Sequence, residues 1–234
     1  MGMSPQRYGL IALTIGAALV MMIVQPLVVG TPKALASCTM RAIPNVQVLL
    51  DMPPTHTDTT RSLAELSQAQ NNTRLGVLDG HHVGGLAVGD IQAQTQIAFD
   101  NDVSFFTGDT CVWVQAVQVN LSLHSMIYIA RELQRGSCDY RELLAHEQQH
   151  VAIDREVVTK YRPELRAHLE RELINMGAVG PVPVDFARAA QTELISKVGA
   201  LVDEKVSELH QERDARQQAL DSPEEYARLN AACG

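Results

Sequence analysis

Polar and apolar positions along the chain follow two different periods. From residue 37 to about 135 the period is two, as in half-buried strands. Cys111 to His124 gives the longest such run: Val112, Val114 and Ala116 alternate with Trp113 and Gln115. From Val117 the phase moves by one, so that Val117, Val119, Leu121 and Leu123 become the apolar set. A one-residue slip of this kind predicts a β-bulge near Ala116-Val117. Shorter strands are predicted over Val46–Leu50 and Ile91–Phe99, with a loop from Met52 to Thr60 and a short helix from Ser62 to Gln70. Asp79-Gly80, Gly84-Gly85 and Gly89-Asp90 read as turns of a hairpin region.

From residue 136 to the end the pattern is helical. Asp139 to Tyr161 contains no glycine or proline, with Asp139 placed to cap its start and Glu142 three residues on. Arg162-Pro163 is expected to end this helix, and a second is expected from Pro163 to Met176, closed by Gly177. After a linker at Gly180–Pro183, a long helix over Val184–Ala219 and a short one from Asp221 to near Cys233 complete the chain. The predicted class is α+β: a β-rich N-terminal half, 37–135, then a helical half, 136–234, together one domain.

Residues 1–36 stand apart. Arg7 precedes an apolar run from Gly9 to Val24 broken only by Thr14, Gly30 and Pro32 end it, and Ala34-Leu35-Ala36 offers a small-x-small cleavage site. Export to the periplasm or outside the cell is expected, with cleavage after Ala36. The alternatives are an inner-membrane anchor formed by residues 9–30, or a lipid on Cys38 in a Leu35-Ala36-Ser37-Cys38 box. The four cysteines Cys38, Cys111, Cys138 and Cys233 then suggest two disulfides in one of three connectivities. Cys38–Cys111 with Cys138–Cys233 is preferred because each bridge stays within one half. Residues 1–36 hold two basic side chains and no acidic one, so the remainder has 17 basic against 27 acidic groups, net −10. That balance, with no basic patch, disfavours nucleic acid and anionic membrane surfaces as partners.

The candidate chemistry lies in His146-Glu147-Gln148-Gln149-His150, an H-E-x-x-H sequence. Two histidines four apart share one helix face about 6 Å apart along the axis, so both imidazoles can reach one Zn²⁺. Glu147 reaches the same cavity from the side and can take a proton from a water activated there. An ordinary amphipathic helix that carries two histidines is the competing reading. A catalytic zinc usually takes a third protein ligand. If Pro163 turns the chain back, Glu172 falls on the apolar stripe of Leu165, Leu169, Leu173 and Met176 and comes level with Ala152, beside His150. A carboxylate on such a face is costly unless paired or bound to metal. Glu172 is therefore the expected third ligand, a buried ion pair with Arg155 or Arg166 its alternative, and Glu170, His124 and Glu225 are its rivals. Asp154, one turn beyond His150, is placed either to hold a zinc ligand's second N–H or to pair with an arginine at the surface. His81-His82, His56 and His210 lack partners at metal spacing. Asp100-Asn101-Asp102 begins like a calcium loop, but Phe105 and Cys111 stand where glycine and glutamate are needed.

With this motif and its lead-in Ser137-Cys138-Asp139-Tyr140, the chain resembles the zincin-type metallopeptidases, and more narrowly the bacterial proteins described as predicted secreted zinc-dependent proteases. The resemblance covers the C-terminal half. Members of that family tend to carry a further histidine-containing signature near the C-terminus, where this chain reads Asp221-Ser222-Pro223-Glu224-Glu225-Tyr226. The expected function is zinc-dependent hydrolysis of a peptide or protein substrate, with Glu147 as general base. The polar edge of Gln118–His124 is expected to align an extended substrate by strand addition. Two alternatives remain. One is a non-catalytic metal-binding envelope protein or partner-binding scaffold using the long helix. The other is an amidase of cell-wall peptides.

Overall fold

The computed structural model describes residues 38–72 and 84–233. Its strands fall between residues 45 and 129, apart from one late addition, and its long helices between 138 and 232, so the fold is α+β. The sheet is built around one strand. β1 (Asn45–Asp51), β2 (His56–Asp58), β3 (Gly85–Val103), β4 (Asp109–Ile129) and β5 (Val179–Pro183) form a single five-stranded sheet in which every other strand pairs with β4. β3 runs antiparallel along the whole of one side of β4; β1 and β2 run parallel along the other, and β5 covers its start.

Several elements differ from the sequence reading, and β2 forms within the loop expected from Met52 to Thr60. Gly89-Asp90 is not a turn; β3 passes straight through it. The bulge falls at Gln115, the residue skipped between the pairs Ala98↔Ala116 and Phe99↔Val114, close to the predicted slip. β5 forms within the expected linker. Gln118–His124 is not an edge: β1 pairs with Gln118 through Gln47, and β3 through Gln96. That removes the strand-addition role expected of it, because β4 is paired on both sides as far as Ser122. The turn at Asp79-Gly80, the pair His81-His82 and the apolar run of residues 1–36 lie outside the described residues. Among those described, no helix is long and apolar enough to cross a membrane.

The largest difference is at Pro163. α1 (Leu63–Asn72) is short, but α2 is one helix from Cys138 to Met176, with Pro163 inside it. An interior proline loses a hydrogen bond and costs about 3 kcal/mol. Burial outweighs it. Tyr161, Leu165, Leu169 and Leu173 are all buried at a spacing of four, and Val151, Val158 and Leu165 at a spacing of seven, so the apolar seam crosses Pro163 without a change of phase. Each buried leucine is worth roughly 1.5–3 kcal/mol, enough in sum to hold the helix straight on. Ser137, not Asp139, caps its start, accepting a hydrogen bond from the Tyr140 amide at 3.2 Å.

α3 (Ala187–Leu220) then returns antiparallel along α2. The ion pairs Glu156–Arg216 and Lys160–Glu212 and the approach of His168 to Glu204 mark that register. It brings the end of α3 beside His150. α4 (Pro223–Ala232) folds against the start of α2, where Cys138–Cys233 fixes it. The other disulfide is Cys38–Cys111, so both bridges are those expected. The Cys38 sulfur is thereby engaged and offers no thiol to a lipid. Disulfides of this kind fit an extracytoplasmic location.

α2 approaches the sheet closely at two glycines of β3. A side chain on Gly85 would meet the Glu147 Oε1 atom at 2.7 Å, and one on Gly89 would collide with Asp154 Oδ2. Gly89→Val is expected to destabilise the fold by about 2–3 kcal/mol, because neither backbone nor the buried Asp154 can withdraw without breaking its own bonds. A lowered denaturant midpoint at unchanged slope checks it.

Candidate metal centre

The sequence motif folds as one turn of α2 pressed on β3. His146 is 2 % exposed and Glu147 5 %. The third group of the cluster is Asp221, at the junction of α3 and α4. Its Oδ1 lies 3.2 Å from His146 Nε2 and 3.0 Å from His150 Nε2, and the two Nε2 atoms are 3.1 Å apart. His146, His150 and Asp221 could together hold a metal ion.

The outer ring nitrogens explain why these three atoms converge. His150 Nδ1 donates to the Gln217 side-chain carbonyl, which has only lone pairs to offer. His146 Nδ1 donates to Glu225 Oε1 at 3.3 Å. In the metal-binding form both protons stay on the outer nitrogens, and each Nε2 presents a lone pair to the other and to an anionic oxygen. Three acceptors at 3.0–3.2 Å need a cation among them. Four-coordinate zinc at 2.0–2.1 Å has ligand–ligand edges of about 3.3 Å, close to this triangle.

The polar neighbours are themselves fixed. The Gln217 amide donates to Asp154 Oδ1 at 2.6 Å and to the His150 carbonyl at 3.1 Å. Asp154 is buried and takes two bonds from Arg213, at 2.6 and 3.2 Å, and Arg213 also reaches the Gly89 carbonyl at 3.4 Å. Neither expectation for Asp154 holds as stated: it pairs with an arginine, but inside the protein rather than at the surface, and it takes no imidazole N–H, reaching His150 only through Gln217. On the other side Arg228 bridges Glu225 at 2.7 Å and Glu142 at 3.0 Å.

These contacts set the titration behaviour. Burial pushes the Glu147 carboxyl up, against a partial offset from the two imidazoles and the Ala87 amide. Burial alone would lower His150; the hydrogen bond and charge of Asp221 override it and hold the imidazole above the ordinary histidine value. Burial would likewise raise Asp221, but bonds to His146 and His150 keep its carboxyl below the usual range. Tyr226, its hydroxyl 3.5 Å from Asp221 Oδ1, is pushed up to about 12 by burial and by Asp221 and Glu147.

The expected third ligand, Glu172, is not here. It lies 22 residues beyond His150 on the same unbroken helix, ~33 Å along the axis. Its carboxylate accepts from Arg171 at 2.9 Å and Asn175 at 3.3 Å. The error follows from Pro163: without a turn there, Glu172 never comes back to His150. Glu170 pairs with Arg166 at 2.8 Å on the same distant stretch. His124 is exposed on the sheet face opposite the leucines that pack under α2. Glu225 is at the site, but on the outer nitrogen of His146 rather than in the ligand triangle. Asp221, Gln217 and Arg213 were not found from the sequence. Asp221 reads there as the start of a short helix.

Gln217→Leu should weaken metal binding by roughly 10–100-fold, the usual cost of losing such an outer partner. The tautomer of neutral His150, read from ¹⁵N shifts of the metal-free protein at a pH above its titration, should change from a single Nδ1–H form to a mixture. Against known proteins, the chain matches no family model, no curated protein and no solved structure.

Proposed function

We propose that this is an exported zinc-dependent hydrolase of peptide bonds, a zincin-like peptidase, held together by His146, His150 and Asp221. The observation that carries the reading is the pairing of this triangle with Glu147. A buried carboxylate with a raised pKa, paired with no lysine or arginine among the described residues, stands beside the two imidazoles of a three-ligand cluster. Bound zinc would supply Lewis acidity toward a carbonyl and make water a stronger acid. Glu147 takes the proton of the attacking water and returns it to the nitrogen of the leaving amine. The Ala87 amide steadies its carboxylate, and the Tyr226 hydroxyl, protonated at neutral pH, fixes Asp221. β3, which passes Glu147 at Gly85 and Ala87, is the strand along which an extended peptide would lie.

Zinc is chosen over other divalent ions because two imidazoles and one carboxylate form a borderline donor set. The same residues would serve an amide bond in a cell-wall peptide, so the substrate panel includes both kinds.

The test is metal content of the purified protein beside His146→Ala/His150→Ala. About one zinc per chain is expected in the parent and none in the double variant. Uptake should weaken as pH falls, since protons compete for the imidazoles and His150 holds its proton more tightly than usual. A folded parent that takes up no zinc at neutral pH would overturn the proposal.

A further inference from the structure

One end of the molecule carries apolar side chains that the described residues leave exposed. At the β3–β4 turn, Phe105 is 94 % exposed and Phe106 95 % exposed. The turn that carries them is well held. The Ser104 amide donates to the Asp109 carbonyl at 2.7 Å and the Gly108 amide to the Ser104 carbonyl at 2.9 Å, with Gly108 at φ +72°. Adjacent phenylalanines fixed outward on a rigid turn are costly in water and are not explained by folding.

Neighbours in space extend the patch. Val103 precedes the turn and is itself exposed. β5 pairs with the start of β4 through Asp109↔Pro183, which places the exposed Val184 and Phe186 at the same end. The Arg41–Asp102 ion pair brings the first described residues alongside, with Ile43 77 % exposed. Single exposed apolar residues are ordinary, but a cluster of six at one end marks an interaction surface.

Chain connectivity indicates what covers it. Cys38 is bonded to Cys111, three residues beyond Gly108 in the turn, with the two Cα atoms 5.5 Å apart. The chain therefore enters the fold at the apolar end. The sequence on the far side of Cys38 is the largely apolar run from Gly9 to Val29, which, retained as an anchor rather than cleaved after Ala36, would hold this end at a bilayer. Asp100, Asp102, Asp109 and Asp185 line the same end against two arginines, Arg188 and Arg41, of which Arg41 is paired with Asp102. That charge is wrong for anionic headgroups.

We propose that this end of the protein is a membrane-docking surface. Phe105 and Phe106 insert into the interfacial zone of a bilayer of net-neutral, zwitterionic lipid, with Ile43, Val103, Val184 and Phe186 at headgroup level. The inference does not depend on the metal centre. It does place that centre: His150 is ~39 Å along α2 from Met176 at the docking end, so the cluster stands off the bilayer.

The full chain, reconstituted in phosphatidylcholine vesicles with brominated acyl chains, tests this by fluorescence. Phe106→Trp puts an indole at the turn, and Gln134→Trp puts one at the exposed opposite end. The buried Trp113 of the parent gives the baseline. Emission from position 106 should shift to the blue and lose several-fold more intensity to bromine than emission from position 134. Phe105→Ser in the Phe106→Trp chain should reduce that loss. Equal quenching at 106 and 134 overturns the proposal. So does a blue shift at 106 that appears without lipid and grows with protein concentration, which would mean that a second copy covers the turn.

Discussion

Glu147→Gln is expected to abolish the proposed peptide hydrolysis while leaving zinc binding intact. The two halves of that result come from different atoms. His146, His150 and Asp221 make the proposed ligand triangle, and none of them is hydrogen-bonded to Glu147. The amide has nearly the same volume as the carboxylate, so the contacts with Gly85 and Leu143 survive. What disappears is the ability to accept a proton. General-base catalysis is commonly worth 10²–10⁴-fold, and turnover should fall by at least that factor. Zinc content and the denaturant midpoint should stay near the parent's, or rise slightly in stability, because a buried ionisable group is replaced by a neutral one. Kinetics on a peptide panel, with zinc measured in the same samples, decide it. A scaffold protein would keep its function in this variant. Loss of zinc together with activity would mean that Glu147 belongs to the ligand set instead.

The fold was largely legible because burial imposes a period. The alternation over Cys111–His124, including its slip, set β4 and located the bulge to within two residues. The leucine stripe of α2 was read correctly as buried. The error was to treat Pro163 as a stop. Proline's cost is local and about 3 kcal/mol, whereas the seam from Val151 to Leu173 is continuous, and that continuity was visible in the sequence. The motif turn was equally legible, since H-E-x-x-H needs only helical spacing. The rest of the centre was not, because Asp221 is 71 residues from His150 and reaches it only through the length of α3. One clue was already present. If Cys138 bonds Cys233, the segment from Asp221 onward is tied within a few turns of His146. Helix register then selects Asp221 over Glu225, which no pattern in the tail reveals.

Asp221→Asn should cost the centre at least 100-fold in zinc affinity, as an anionic ligand is exchanged for a neutral amide. Its effect on the metal-free protein should be different and pH-limited. His150 has a raised pKa in the folded chain, so its share of the stability is complete below the unfolded histidine value and is lost as pH rises through the raised one. Asp221 has a depressed pKa, so its share is present above the unfolded carboxyl value and is lost as pH falls through the depressed one. The two conditions overlap between about pH 4 and about pH 7, taking ordinary carboxyl and histidine values as the bounds. Denaturant unfolding of the metal-free Asp221→Asn variant should therefore show its loss inside that window and little above it. With zinc added, the order reverses. The ion displaces the proton between the imidazoles, so the difference between parent and variant should be greatest above pH 7, where proton competition is weak. A variant equally destabilised at every pH would make Asp221 a structural cap of α4. Ser222 already performs that task, accepting from the Glu225 amide at 3.1 Å. The reversal on adding metal is thus the result that separates a ligand from a cap.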